Sequence, residues 1–294
     1  GAEANDKWGV TDGGFRLDWN PSEHNQVTVQ GSLYGGREKT QPADSEFDGQ
    51  NILARWRHTI SSTSEWTLQL YFDRTWRRDV PSTFTLDLNT YDVDFQYRSL
   101  LGKAHHVIWG AGFRFMDDET TNSTDLVGFI PQDRKMSLFN VFVQDEIGLI
   151  PERLKLILGT KLLYNVFTDF ELQPSARLLW MPNSDHTVWS AVSRAVRTPS
   201  RIDVDYHIPV TPVPEGQPNV AGGPNFVSEK VVAYEVGYRV QSGSALSFAV
   251  SAFYNRYDDL YSVEALEGTQ TYQIQNGTEG TSHGLEIAAT YQPF

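Results

Sequence analysis

The stretch "VVAYEVGYRVQSGSALSFAVSAFY" (residues 231–254) decides the fold. On either side of a short Ser- and Gly-rich segment, every second residue is apolar: Val232, Tyr234, Val236, Tyr238 and Val240 before it, and Leu246, Phe248, Val250, Ala252 and Tyr254 after it. A period of two predicts a β-strand with one apolar face. Two such strands joined by the five residues 241–245 predict an antiparallel hairpin.

The same alternation recurs along the whole chain of 294 residues. It predicts about thirteen strands of about 9–14 residues, and no segment shows convincing helical periodicity. The connections alternate between short turns and longer polar loops, although one member of the long set, near Thr168, is short. The predicted loops are residues 35–49, 77–84, 116–136, 197–229 and 256–282. A strand meander with short turns at one end and longer loops at the other is typical of outer-membrane barrels. The fold class is therefore predicted to be all-β, an antiparallel transmembrane β-barrel meander.

Composition agrees with a barrel and excludes other classes. A formal net charge of −13 argues against a nucleic-acid partner, and the absence of cysteine excludes a disulfide scaffold or thiolate metal site. No apolar run is long enough for a membrane-spanning helix. Each predicted apolar face has an aromatic residue near one or both ends, as an interfacial girdle requires. These aromatic residues include Trp19, Trp66, Tyr97, Tyr254 and Tyr291.

Several segments resemble the TonB-dependent outer-membrane receptors. The hairpin "FVQDEIGLIPERLKLILGTKLLYN" (142–165) is similar to a mid-barrel hairpin of that family, and "SRAVRTPS" (193–200) to a strand end with the start of a loop. "SEKVVAYEVGYR" (228–239), "FYNRYDDL" (253–260) and "IQNGTEGTSHGLEIAATY" (274–291) follow in the family's order.

The resemblance implies energy-dependent import of a scarce nutrient across the bacterial outer membrane. The expected ligand is an iron-siderophore or a similar small metal chelate, with no cofactor and no covalent chemistry, so the chain is not expected to be an enzyme. Family members carry an N-terminal plug inside a barrel of 22 strands. We therefore expect residues 1–294 to be a single partial barrel domain, truncated at both ends, with Pro293 beginning a further turn and Phe294 failing to fit a closing strand. Its expected partners are outer-membrane lipid, the ligand and, through the missing plug, the TonB complex.

Candidate ligand contacts lie in the predicted loops: Arg197, Arg201, Tyr206, His207, Tyr257 and Tyr261. Arginines could clamp an anionic ligand. Alternatively, Arg194 and Arg197 pair with carboxylates at the rim, and this alternative is favoured. Loop aromatics could stack on a flat ligand or simply shield the barrel mouth.

One further pattern could bind a metal. Asp203, Asp205 and His207 alternate in "DVDYH" and could present three ligands to a cation, although in a polar loop solvated turn chemistry is favoured.

Three other functions stay open from the sequence. The first is a passive porin-like or adhesin barrel, which would have no plug. The second is an outer-membrane enzyme, for which no nucleophile and base can be nominated. The third is a soluble β-protein that binds carbohydrate through its aromatic residues.

Overall fold

The computed structural model describes residues 7–39, 44–79, 84–123, 128–208, 219–243 and 246–292, and nearly all of them belong to one sheet. The sheet contains sixteen strands within these ranges, and one short helix accompanies them. The elements are β1 (Trp8–Ser22), β2 (Asn25–Glu38), β3 (Ser45–Ser61), β4 (Ser64–Asp79), β5 (Phe84–Leu101), β6 (His105–Thr121), β7 (Gly128–Phe129), β8 (Arg134–Ile150), β9 (Leu154–Asn165), β10 (Asp169–Trp180), β11 (His186–Arg197), α1 (Arg201–Asp205), β12 (Tyr206–Ile208), β13 (Asn219–Ala221), β14 (Glu229–Ser242), β15 (Leu246–Ala265) and β16 (Thr271–Tyr291). Parts of the predicted loops and of the 241–245 turn, together with Pro293 and Phe294, lie outside the described residues.

Thirteen of the described strands are long, and each pairs antiparallel with its neighbour in sequence among them. The predicted all-β meander is therefore confirmed. β7, β12 and β13 have only two or three residues, and β13 pairs in parallel with β16. The connections after β1, β3, β5, β8, β10 and β14 are all short and lie at one end of the sheet, called the turn end below. The opposite end, where β7, α1, β12 and β13 lie, is the loop end.

The long strands differ from the prediction in length, since they contain between 12 and 21 residues. The ladder continues past the apolar stretch into polar residues, because backbone N–H and C=O groups need partners whatever the side chains are. The prediction of a loop over 256–282 was accordingly wrong: most of it belongs to β15 and β16. Tyr257 and Tyr261 lie within β15.

One face of the sheet is a lattice of apolar and aromatic side chains. On β4, β5 and β6 the register places Trp66, Tyr97 and Trp109 side by side near the turn end. A second row, formed by Phe72, Tyr91 and Phe115, lies six residues further along each strand. Six residues correspond to roughly 20 Å along a strand.

This apolar face remains exposed over most of the sheet. Phe15, Leu17 and Trp19 are 57–59% exposed, and the buried apolar residues of the described chain number only four. No described helix is long and apolar enough to cross a membrane.

The other face is polar and carries ion pairs between neighbouring strands. Arg98 lies 3.0 Å from Glu65, and Arg114 lies 2.9 Å from Asp92. The predicted division between an apolar face and a polar face is thus confirmed. In a soluble sandwich a second layer would cover the apolar face, and the described residues contain no such layer.

We expect the 294-residue chain, produced by itself, to aggregate in buffer and to require detergent. Its apolar face exceeds the patches that soluble monomers tolerate, and β1 pairs only with β2 within the described chain, leaving an edge that can template aggregation. Size-exclusion chromatography with and without detergent measures this. A monodisperse, protease-resistant monomer in plain buffer would contradict a lipid-facing role for the apolar face.

Candidate functional site

The loop end is organised around α1, which follows directly on β11. The ladder of β11 ends at Arg197, the first residue of the loop predicted over 197–229, and Pro199 follows. Proline lacks a backbone donor, and it restricts the residue before it to an extended conformation. The N–H and Oγ of Ser200 then donate to Asp203 Oδ2 at 2.8 and 2.9 Å, which fixes the first turn of the helix.

Arg201 is the centre of this arrangement, because its side chain is only 5% exposed and reaches four segments. Its Nε donates to Asp205 Oδ2 at 3.1 Å, and its Nη1 lies 3.1 Å from a carboxylate oxygen of Asp118 on β6. Its Nη2 donates to the carbonyls of Pro131 and Gln132.

The ring of Phe129 lies under the Arg201 guanidinium, with its centroid 4.6 Å from the guanidinium carbon. A cation over an aromatic face is a favourable contact, and more so where water is excluded. Arg201 therefore connects α1 to β6, β7 and the segment before β8.

Two further arginines, from β8 and from the end of β11, pair with carboxylates of α1 and complete a charged network around this helix. Arg134 of β8 is bonded to Asp205 and lies over the ring of Phe167 at 4.6 Å. Arg197 pairs with Asp203 at 3.0 Å and with Glu229 at the start of β14. We call Asp118, Arg134, Arg197, Arg201, Asp203, Asp205 and Glu229 the loop-end network.

The network also changes the acidity of Asp203. Burial raises the pKa of this carboxyl group, but hydrogen bonds from Arg197 and Ser200 together outweigh burial, so its pKa lies below the ordinary value. Asp203 is therefore ionised at neutral pH and available as a permanent acceptor.

The chain beyond α1 folds back over the loop end through two glycines. A Cβ on Gly222 would stand 2.2 Å from the carbonyl oxygen of Val204, and one on Gly223 would stand 2.0 Å from that of Ile274. Only glycine allows such an approach of backbone to backbone. The glycine pair thus packs the returning segment between α1 and β16.

A cavity of about 490 Å³ lies on the polar face at the loop end, between α1 and the strand ends. Its walls are apolar and come from β5, β6, β7, β8 and the connection after β9. The apolar lining includes Leu86, Leu88, Met116, Phe129, Met136 and Phe167. The charged and polar lining residues are Asp118, Ser137, Asn165, Thr198, Ser200 and Arg201, of which Asp118, Ser200 and Arg201 lie together at one side.

The sequence of β5 contains a pattern that corresponds to this cavity. In β5 the apolar positions are Phe84, Leu86 and Leu88, but from Tyr91 onward they are odd-numbered. The apolar pattern therefore changes phase within one strand. The first set faces the polar side of the sheet at the loop end, whereas the second forms the apolar face.

The six predicted ligand contacts have different environments. Arg197 and Arg201 belong to the loop-end network, so the carboxylate pairing favoured for the rim arginines matches the geometry. Arg194 likewise lies 3.3 Å from Glu171. Tyr206 packs edge-on against Phe129, with centroids 6.1 Å apart. None of the six is on the apolar lining of the cavity, although Arg201 lies at its polar side.

The remaining candidates lie on other parts of the loop end. His207 Nδ1 is 2.9 Å from the backbone carbonyl of Asp205. The Tyr257 hydroxyl is 3.3 Å from Ser282 Oγ, and the ring of Tyr261 lies 6.3 Å from that of Phe226.

Asp203 and Asp205, two of the three residues that could present ligands to a cation, do not point to a common position. Asp203 accepts from Arg197 and Asp205 from Arg201 and Arg134, so they point to different partners. Within the described ranges no group of three or more metal-ligating side chains is assembled.

An exposed apolar face, a polar face with inter-strand ion pairs and a loop-covered end define the wall of a membrane β-barrel. The sequence profile described as TonB dependent receptor-like, beta-barrel matches residues 2–294. The chain belongs to the TonB-dependent receptor family as part of its barrel.

Solved structures agree with this fold. The chain is 16% identical to the siderophore receptor PirA from Pseudomonas aeruginosa over 95% of this chain and 53% of that one, with a TM-score of 0.79. The chain is 15% identical to a variant of the ferric enterobactin receptor PfeA from the same organism, in complex with enterobactin. That match covers 96% of this chain and 50% of that one, with a TM-score of 0.73. The chain is 14% identical to the copper transporter OprC over 98% of this chain and 50% of that one, with a TM-score of 0.70.

The chain spans about half the length of these structures. At such low identities the likeness shows the fold alone. No curated protein sequence matches the chain.

Replacing Asp203 by Asn should loosen α1, because Arg197 and Ser200 lose their charged acceptor. Trypsin cleavage after Arg197 and Arg201 in the detergent-purified protein, followed by mass spectrometry, should accelerate about fivefold, which corresponds to roughly 1 kcal/mol of local stability. The matched control is Asp18→Asn, which removes an exposed ion pair with Arg16 and should leave these cleavages unchanged. Equal cleavage in D203N and wild type would contradict an anchoring role for Asp203.

The same contact predicts an acid-dependent stability. Because the pKa of Asp203 is lower in the folded chain than its ordinary value of about 3.9, its contribution is complete above that value and is lost as pH falls through the lower folded value. The melting-temperature difference between wild type and D203N should be constant from about pH 5 to 8 and shrink below about pH 4. A difference that shrinks near neutral pH instead would show that another group controls it.

Proposed function

We propose that the protein carrying this chain is an outer-membrane receptor for TonB-dependent uptake of an iron-siderophore or a similar metal chelate. The observation that carries the proposal is the match of the receptor-barrel profile over residues 2–294. Two of the solved structures described above are named as receptors for siderophores, and the third as a copper transporter. Metal-containing cargo is common to them.

The architecture of the loop end supports a binding role. The loop-end network holds the described parts of the connections after β6 and β11, and binding residues are commonly carried on loops that a rigid scaffold positions. Because Arg197 and Arg201 are engaged by carboxylates, we assign them to holding the loops. Tyr206, His207, Tyr257 and Tyr261 stay candidates for direct ligand contact.

Transport would need parts of the protein beyond residues 1–294. We propose that this chain is an internal part of a larger barrel, and that a plug elsewhere in the protein closes the barrel and engages the TonB complex. The polar face would then line the lumen, and the apolar face would contact outer-membrane lipid.

Deletion of the gene that encodes this chain should abolish iron-limited growth on at least one ferric siderophore, and complementation should restore it. Uptake of radioactive iron from that siderophore should also stop when TonB is absent or the proton-motive force is collapsed, because the energy for transport comes from the inner membrane. Iron uptake through this protein that persists under both conditions would indicate a passive, porin-like barrel. Unchanged growth on every siderophore tested would contradict the proposed cargo.

A further inference from the structure

We propose that the loop-end cavity binds a hydrocarbon tail, so that the cargo of this receptor is an amphipathic chelate. The inference rests on the proposed function, and it adds the chemical class of the ligand and the subsite that recognises it. The cavity is separate from the loop residues predicted to contact ligand, apart from Arg201 at its polar side.

The position of the cavity makes it accessible to cargo rather than to lipid. The register of β5, β6 and β8 places Leu88, Met116 and Met136 on the polar side of the sheet, opposite the apolar lattice of Tyr91 and Phe115. Elsewhere on that side the walls carry ion pairs such as Arg114 with Asp92. An apolar surface at this location therefore faces the interior of the proposed barrel, where bilayer lipid does not reach.

The chemistry of the lining selects hydrocarbon over iron-binding groups. Small-molecule sites are mostly apolar pockets of about 300–1,000 Å³ with a few polar groups, and the volume of about 490 Å³ fits this class. Hydroxyl, hydroxamate or carboxylate groups buried there would lose water without gaining enough partners. Leucine, methionine and phenylalanine side chains instead contact methylene groups favourably, and methionines adapt to irregular shapes.

The polar side of the cavity offers an anchor for the root of such a tail. Arg201 Nη1 and Asp118 Oδ1 are buried, and neither makes a hydrogen bond within the described chain, although the two side chains form an ion pair. Buried polar atoms of this kind are uncommon and call for an explanation. The carbonyl oxygen of an acyl linkage would lie beside the positively charged Arg201 guanidinium at this side of the cavity, which places the tail in the apolar part and leaves the chelating head outside.

The test uses the full-length protein in cells and three ferric hydroxamate complexes with one chelating head, acylated with an acetyl, hexanoyl or decanoyl group. Binding is measured on ice, with subtraction of cells that lack the gene. Each buried methylene is worth about a fourfold gain in affinity, so the decanoyl complex should bind at least about tenfold more tightly than the acetyl complex. This ordering is expected only for wild-type protein and for variants that leave the cavity open.

Leu86→Trp fills the cavity and should remove the preference for the longer tail. Leu86→Gln keeps the side-chain size but makes the wall polar, so it serves as a second variant if tryptophan prevents folding. The matched control is Leu70→Trp, which makes the same replacement on the exposed apolar face and should keep the preference. Outer-membrane abundance of each variant is measured in parallel.

A tail preference that is lost in both Leu86 variants and kept in Leu70→Trp supports the inference. Equal affinity for the three complexes in wild type, an unchanged preference in a folded Leu86 variant, or no specific binding of any complex would overturn it. None of these results alters the gene-deletion growth test, which decides separately whether the protein imports metal chelates at all.

Discussion

Backbone hydrogen bonding is the constraint on which the structure depends. A chain segment that faces hydrocarbon has no water to satisfy its N–H and C=O groups, so each must bond to a neighbouring strand. The thirteen long strands of the described chain meet this demand by pairing in sequence order. The side chains are then free to divide between an exposed apolar face and a polar one, and the fold needs almost no conventional core.

At the loop end the ladder gives way, and charged side chains take over the task of holding the backbone in place. Arg201 alone joins α1 to a strand end and to two backbone carbonyls of the segment before β8. Buried charges are costly unless they are paired, and here the cations of α1 and its surroundings meet carboxylates from distant parts of the chain. This network positions the loops. Arg197 and Arg201, which could clamp an anionic ligand, are instead paired with carboxylates of the chain itself.

Holding the loops also creates the cavity. α1 is held against the strand ends by the ion pairs of Arg201 with Asp118 of β6 and of Asp205 with Arg134 of β8, and the apolar phase change in β5 provides a hydrophobic wall beneath it. The apolar cavity lies beside the charged and polar residues of the loop-end network, and a polar surface of that kind suits a hydrated chelate. The loop end thus offers two chemically different regions to one ligand, which is the physical basis for proposing an amphipathic cargo.

The sequence by itself determined the class of fold, the approximate number of long strands and the start of the loop after β11, because two-residue alternation acts over a few neighbouring residues. It did not determine strand length: β15 and β16 continue to pair through residues 256–282, where runs of polar residues interrupt the alternation. Only the tertiary structure decided which carboxylates Arg197 and Arg201 meet, and that Leu86 and Met136 share a cavity. Asp118 and Glu229 are far in sequence from the arginines they meet, as Met136 is from Leu86, and strand register together with the returning loops brings these residues together.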